Sequence, residues 1–166
     1  VAKKNKPTII STGMCDMKEV EDAYKAFHAS GNKDLIFLQC TTNYPSNIKE
    51  SNMKVLKSIQ NKFKVLTGFS DHTENDISAI LSIGYGAKVI EKHFTLSKRM
   101  KGPDHSSSLT PKEFKDYVRR IRLAELSTGN ENKKPSKSEK MNMKVMRRSI
   151  VSKIQINKGQ KISIDM

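Results

Sequence analysis

Thr8-Ile9-Ile10-Ser11-Thr12-Gly13, the stretch Asp16 to Phe27, and Leu35-Ile36-Phe37-Leu38 together decide the fold. The first is a short apolar run that stops on small polar residues. Asp16 follows as a helix N-cap, with Glu19 three residues on to complete a capping box. Val20, Ala23, Tyr24 and Phe27 stand at i, i+3, i+4 and i+7, one face of a helix, and Gly31 ends it. Leu35 to Leu38 is then a second strand, closing on Gln39-Cys40-Thr41-Thr42. A strand, a helix and a strand in this order predict a parallel pair, because strands running the same way need a crossover between them.

The same beat continues to residue 127. A loop through Tyr44-Pro45 leads to a helix near residues 49–60, with Met53, Leu56 and Ile59 inward. Phe63 to Phe69 reads as the third strand, ending in Ser70-Asp71-His72-Thr73. Ile77, Ile80 and Leu81 mark its helix, closed by Gly84. Ala87-Lys88-Val89-Ile90 reads as the fourth strand, ending in Glu91-Lys92-His93-Phe94-Thr95. A longer loop, 96–109, reaches Thr110-Pro111-Lys112-Glu113, a helix start with N-cap, Pro at N1 and capping glutamate. Phe114, Tyr117, Val118 and Ile121 form that helix's inner face, and Gly129 closes it.

Four β-α units in ~127 residues match half of a (β/α)8 barrel, which takes ~250 residues for eight. The expected fold class is therefore α/β, the C-terminal half of a TIM barrel, with Ile9, Leu35, Phe37 and Ile90 as apolar residues of the barrel interior. Residues 128–147 read as a linker, and Asn130 to Ser138 holds no apolar residue. Residues 148–166 alternate apolar and polar as a strand does, with a turn at Lys158-Gly159. They read as the start of a small β-rich domain.

Net charge is +14, of which +11 falls in residues 98–166. That balance invites a nucleic-acid reading, but 25 of the 31 cations are Lys and only 6 are Arg. Base readout and bidentate phosphate contacts favour Arg, and the absence of Trp leaves few stacking platforms. A lysine-rich solvated surface is the plainer reading, so no nucleic-acid partner is expected. A basic binding module stays open as the non-enzyme alternative, with a steep salt dependence as its mark. The longest purely apolar run near the second strand is far short of the ~20 residues of a membrane helix, so no membrane partner is expected. Cys15 and Cys40 cannot build a disulfide framework, which points to a reducing, cytoplasmic setting; either reads as a small core residue. Val1 opens the chain without an apolar leader segment, and further residues before it are expected.

In parallel α/β folds, sites gather at the carboxyl ends of the strands. All four ends here are polar: Ser11-Thr12-Gly13, Cys40-Thr41-Thr42-Asn43-Tyr44, Ser70-Asp71-His72-Thr73 and His93-Phe94-Thr95. His72 and His93 end neighbouring strands, whose axes lie ~4.8 Å apart. Two imidazoles so placed can share a divalent cation and leave positions open for substrate and water. The alternative is two histidines with local hydrogen bonds, Asp71 being a ready partner. Ser11, Thr12, Thr42 and Ser70 put hydroxyls on the same rim, suited either to a phosphate or to ordinary turn capping. Glycine-rich phosphate loops are absent. Strand alternation turns Lys92 to the face opposite His93.

Gly68-Phe69-Ser70-Asp71-His72-Thr73, Glu91-Lys92-His93-Phe94-Thr95 and Gly102-Pro103-Asp104-His105-Ser106-Ser107-Ser108-Leu109 together resemble the sialic acid synthase family. Ile10-Ser11-Thr12-Gly13-Met14 and Cys40-Thr41-Thr42-Asn43-Tyr44-Pro45 extend the resemblance, and it covers nearly the whole chain in order. Arg147-Arg148-Ser149-Ile150 followed by Lys158-Gly159 resembles the entry to that family's C-terminal antifreeze-like (SAF) domain. The resemblance implies an enzyme that condenses phosphoenolpyruvate with an N-acetylated amino sugar such as N-acetylmannosamine. The products are inorganic phosphate and a nine-carbon 2-keto sugar acid. It also implies Mn2+ or Mg2+ as cofactor, a cytoplasmic location and a domain-swapped homodimer.

Carried over residue by residue, the resemblance makes His72 and His93 the metal ligands. Ser11, Thr42 and Ser70 become phosphoenolpyruvate contacts, and Tyr44 and Asp104 contacts to the open-chain sugar. Thr42 stands where some members have an asparagine, and Asn43 follows it, so either can take that role. The acceptor can be N-acetylmannosamine or a diacetylated sugar, giving neuraminic, legionaminic or pseudaminic acid. The lysines and the glutamate that the family draws from its first four strands have no counterpart here, nor has the arginine of the partner's antifreeze-like domain. A chain of this extent is therefore expected to be inactive alone.

Overall fold

The computed structural model describes all 166 residues, which divide into a compact unit, Val1–Gly129, and a second unit, Asn130–Met166. The first unit alternates β1 (Thr8–Ser11), α1 (Met17–His28), β2 (Leu35–Cys40), α2 (Val55–Phe63), β3 (Leu66–Asp71), α3 (Ile77–Gly84), β4 (Val89–Lys92) and α4 (Pro111–Thr128). The four strands form one sheet in the order β1-β2-β3-β4, every pair parallel. This is the half-barrel arrangement expected from the β-α beat.

Local chemistry sets the helix starts. Asp16 accepts from the backbone N–H groups of Lys18 (2.8 Å) and Glu19 (2.9 Å), while Glu19 accepts from Asp16 N–H (2.8 Å). Glu113 accepts from Thr110 N–H (2.9 Å) at the start of α4, with Pro111 at N1. Each pair satisfies donors that the first helical turn leaves free.

Register separates the two faces of the sheet. Ile9, Ile36 and Leu66 stand in one row, Ser11, Leu38, Gly68 and Val89 in the next, and Cys40, Ser70 and Glu91 in a third. These rows form the inner face. Ile10, Phe37 and Thr67 alternate to the other face, as do Gln39, Phe69 and Ile90. There the helices pack in two clusters. Val20, Phe27, Leu35, Phe37, Ile59 and Phe63 make one, and Met53, Leu56, Phe69, Ala79, Ala87, Tyr117 and Ile121 the other.

Several expectations are corrected. Leu35 and Phe37 are buried under the helices, and Ile90 packs against the helix-side cluster; of the expected interior residues only Ile9 lies on the inner face. Phe63 belongs to α2, which begins at Val55 rather than near 49, because an apolar Phe-x-Val run does not by itself tell strand from helix end. β4 is displaced two residues, to Val89–Lys92. In α3 the buried residues are Ser78, Ala79 and Ser82, while Ile77 and Leu81 are about half exposed. Small side chains let α3 lie close, and their hydroxyls are satisfied by Ser51 Oγ (2.9 Å) and the Ala79 carbonyl (2.7 Å). Cys15 is exposed, not core.

The second unit holds one helix, α5 (Lys137–Met146), inside the stretch expected to be linker. Ser136 caps it, accepting from Glu139 N–H at 3.2 Å, and Glu139 returns the bond to Ser136 N–H at 2.7 Å. Residues 147–166 contain turns and no strand, so the alternation read there as β does not form a ladder. No helix of the protein is long and apolar enough to cross a membrane.

Candidate active site at the carboxyl ends of the strands

The third inner row leads directly to the rim. Ser70 and Glu91 are register partners, and the Ser70 hydroxyl donates to Glu91 Oε1 at 2.6 Å. One step further, Asp71 and Lys92 are also partners, and beyond them come His72 and His93. The two imidazoles lie with ring centroids 5.0 Å apart and planes at 90°. Tyr44 stacks on His93 (4.1 Å, 20°) and meets His72 edge-on (5.3 Å, 80°). Cys40 Sγ lies 4.0 Å from His72 Nδ1, and Asp104 Oδ2 lies 3.9 Å from His93 Nδ1.

The loops that complete this cluster are pinned at the histidine carbonyls. Ser46 N–H donates to the His72 carbonyl at 2.7 Å, which holds the loop carrying Tyr44. Leu109 N–H donates to the His93 carbonyl at 3.0 Å, and Thr95 N–H to the Leu109 carbonyl at 2.9 Å. These bonds return the 96–109 loop onto β4. Inside that loop the Asp104 carbonyl accepts from Ser108 N–H (3.1 Å) and the Ser108 hydroxyl (2.7 Å). Thr95 Oγ1 and His105 Nδ1 hydrogen-bond at 2.8 Å.

On the other face, directly beneath, lies a buried ionic cluster. Lys92 Nζ is 3.2 Å from Asp71 Oδ2, and the two side chains are 2% and 0% exposed. Tyr117 OH donates to Asp71 Oδ2 at 2.7 Å; Thr73 N–H and Oγ1 donate to Asp71 Oδ1 at 2.9 and 2.7 Å. Lys92 Nζ also donates to the Thr73 carbonyl. Lys92 thus faces away from the rim, as alternation predicts.

Burial and the neighbouring His72 lower the His93 pKa below its ordinary value, against the pull of Asp104. Burial pushes the Cys40 thiol up, so it stays protonated. Burial likewise raises the Tyr44 phenol, against the opposing pull of the neighbouring Ser108 hydroxyl.

His72, His93, Tyr44, Asp104 and Ser70 therefore come together. Thr42 and Ser11 stand on the same rim but exposed, Thr42 leaning toward Gly13, where an added Cβ would sit 2.2 Å from its Oγ1. Thr12 is turned away from any ligand role, donating to the Leu38 carbonyl at 2.9 Å. Glu91 is the residue sequence reasoning passed over. Its signal was available, since i and i+2 on a strand share a face and His93 is two residues on.

His72 and His93 are the residues that could hold a divalent cation, their ring centres 5.0 Å apart being within the ~6.4 Å that two ~2.1 Å bonds to one ion allow. No group of three or more His, Cys, Asp or Glu side chains closes into a metal cluster.

Four parallel strands with paired histidines, hydroxyls and carboxylates on one rim define the chain as half of a (β/α)8 barrel. Residues 1–133 match the NeuB family, and the chain belongs to it. It is 43% identical over 162 residues to N,N'-diacetyllegionaminic acid synthase of Campylobacter jejuni, covering 96% of this chain and 48% of that protein. It is 35% identical over 166 residues to N-acetylneuraminate-9-phosphate synthase of Mus musculus, covering 99% and 46%. The N-acetylneuraminic acid (sialic acid) synthetase structure of Leptospira borgpetersenii, solved with citrate, superposes with TM-score 0.77 at 27% identity. It covers 89% of this chain and 53% of that one. The chain spans about half the length of the curated relatives it matches.

Proposed function

We propose that this chain supplies the carboxyl-terminal half of the catalytic barrel of a sialic acid-type synthase. Such an enzyme condenses phosphoenolpyruvate with an N-acetylated amino sugar and releases phosphate. The observation that carries the reading is the orthogonal His72–His93 pair on the inner rim, with Tyr44 stacked on it and Asp104 beside it. Mn2+ or Mg2+ bound there would supply a Lewis acid for the oxygen that gains charge when a carbonyl carbon is attacked. His72 and His93 hold it as neutral imidazoles, which the lowered His93 pKa favours.

The remaining groups bind and orient. Ser11, Ser70 and Thr42 present hydroxyls to phosphoenolpyruvate, with Asn43 able to replace Thr42. Ser70 gives its one proton to Glu91 in the free chain and turns it to the substrate when that binds. Tyr44 and Asp104 are assigned to the sugar end, both lying against His93 rather than against the Ser70–Glu91 pair. Glu91, aimed into the same space, is placed to hold or take a proton there. The Tyr44 hydroxyl, beside Ser108, is a donor that a sugar oxygen can take up.

Of the possible acceptors, a diacetylated sugar is favoured by the higher identity to the legionaminic synthase, 43% against 35%. A cytoplasmic, dimeric enzyme with the 148–166 segment opening an antifreeze-like domain fits the same reading. The test is phosphate release with Mn2+, comparing N-acetylmannosamine with a 2,4-diacetamido acceptor. It is run on this chain alone and on a chimera joining it to the amino-terminal half of the Campylobacter jejuni relative. Turnover by the chimera that is lost in His93→Ala supports the reading. A chimera that folds and binds Mn2+ but never releases phosphate overturns it.

A further inference from the structure

Resting on the metal reading of His72 and His93, we propose that the buried Asp71–Lys92–Tyr117 cluster is a positioning device. On this view it sets the distance and angle between the two imidazoles. Asp71 and Lys92 are register partners, and each immediately precedes a histidine. Because successive strand residues alternate in face, an anchor on the helix side fixes the backbone from which the next side chain enters the inner rim.

The anchoring is complete. Asp71 is wholly buried, yet its carboxylate accepts four donors: Thr73 N–H, Thr73 Oγ1, Lys92 Nζ and Tyr117 OH. Its charge is matched by a lysine that is itself 2% exposed. Lys92 reaches back to the Thr73 carbonyl and lies 5.7 Å from the centre of the Tyr117 ring. His72 therefore sits between two clamped residues, Asp71 and Thr73, and Lys92 ties that clamp to the strand carrying His93. Tyr117 joins both to α4. A buried ion pair adds little net stability over an apolar replacement, whereas a fully satisfied polar network specifies one arrangement. The cluster is therefore better suited to fixing geometry than to holding the fold together.

The test measures Mn2+ affinity by electron paramagnetic resonance on this chain. Tyr117→Phe removes one donor and keeps the ring. The paired variant Asp71→Asn with Lys92→Met removes both charges at once and leaves neither ion unmatched. Ile121→Val, on the same helix but outside the cluster, controls for loss of stability. The expected result is a loss of about tenfold in Mn2+ affinity for Tyr117→Phe, the usual scale for groups that orient metal ligands. The control should keep parental affinity at a temperature where circular dichroism shows all variants folded. Binding by the parent that is abolished in His93→Ala but unchanged in both cluster variants overturns the positioning role alone. Equal losses in Tyr117→Phe and Ile121→Val also overturn it, since stability would then explain the effect. No binding by the folded parent overturns the metal reading and the proposal with it.

Discussion

Tyr44 lies flat on His93, ring centroids 4.1 Å apart and planes 20° apart, with its phenol partly buried beside the Ser108 hydroxyl. The ring contributes packing, and the hydroxyl adds little to the free chain, because a hydrogen bond to a neutral hydroxyl roughly offsets the cost of burying the group. Tyr44→Phe is expected to leave stability unchanged or raise it by up to ~1 kcal/mol. Tyr44→Ala, which removes the stack, is expected to lower it by ~2 kcal/mol. Urea unfolding of the three proteins checks this. A Tyr44→Phe variant destabilised as much as Tyr44→Ala would mean that the hydroxyl, not the stacked ring, carries the contact.

His93 sets a pH dependence. Its pKa is lowered by burial first and by His72 second, so between the folded and unfolded values the unfolded chain binds more protons. Stability then rises with pH across that interval. The contribution is fully present above the ordinary histidine value and is lost as pH falls through the lowered folded value. Proton NMR titration of the His93 ring should place its midpoint below that of exposed histidine, and His72→Ala should move it upward. A midpoint at or above the ordinary value would contradict the assigned environment.

Much of this was legible in the sequence, and what was not has physical causes. The β-α order, both capping boxes and the placing of His72 and His93 on one rim follow from local pattern alone. The side of the sheet on which an apolar residue lies does not. Strands covered by helices on one face and lining a barrel on the other are apolar on both faces, so the pattern does not tell that Leu35 and Phe37 lie under the helices. The inward face of α3 is not marked by apolar spacing, because Ser78 and Ser82 are buried with their hydroxyls satisfied. The Asp71–Tyr117 bond joins residues 46 apart in sequence, and no periodicity announces it.

Gly68 is where β3, β4 and Leu38 meet. A Cβ there would lie 2.3 Å from the Val89 carbonyl oxygen and 2.5 Å from Leu38 Cδ2. Backbone cannot yield as a side-chain tip can, so Gly68→Ala must push β4 from β3. Overpacking of this kind costs ~1–3 kcal/mol, and the strand displaced is the one that carries Glu91 and His93. The variant is expected to lower the melting temperature and to weaken Mn2+ binding at temperatures where it remains folded. Gly84, whose added Cβ would meet nothing, is the control, and Gly84→Ala should bind Mn2+ as the parent does.

The floor of the inner face predicts how the chain behaves by itself. Ile9, Ile36 and Leu66 are register neighbours across β1, β2 and β3, and Ile9 and Leu66 are 51% and 56% exposed. β1 and β4 each leave one edge unpaired. Exposed apolar surface gains ~25 cal/mol per Å² on burial, and open edges offer backbone partners to another copy. Against this stands the net charge of +14, which repels copies from one another. That repulsion reaches ~30 Å at 0.01 M salt but only ~8 Å at 0.15 M. The chain is therefore expected to stay dispersed at low salt and to self-associate as salt is added. Sedimentation velocity over that range measures it directly. Ile9→Lys combined with Leu66→Lys should move the onset of association to higher salt, because it removes the apolar row and adds two charges. A parent chain that remains monomeric at 0.15 M salt and tens of micromolar would show that this face does not drive association.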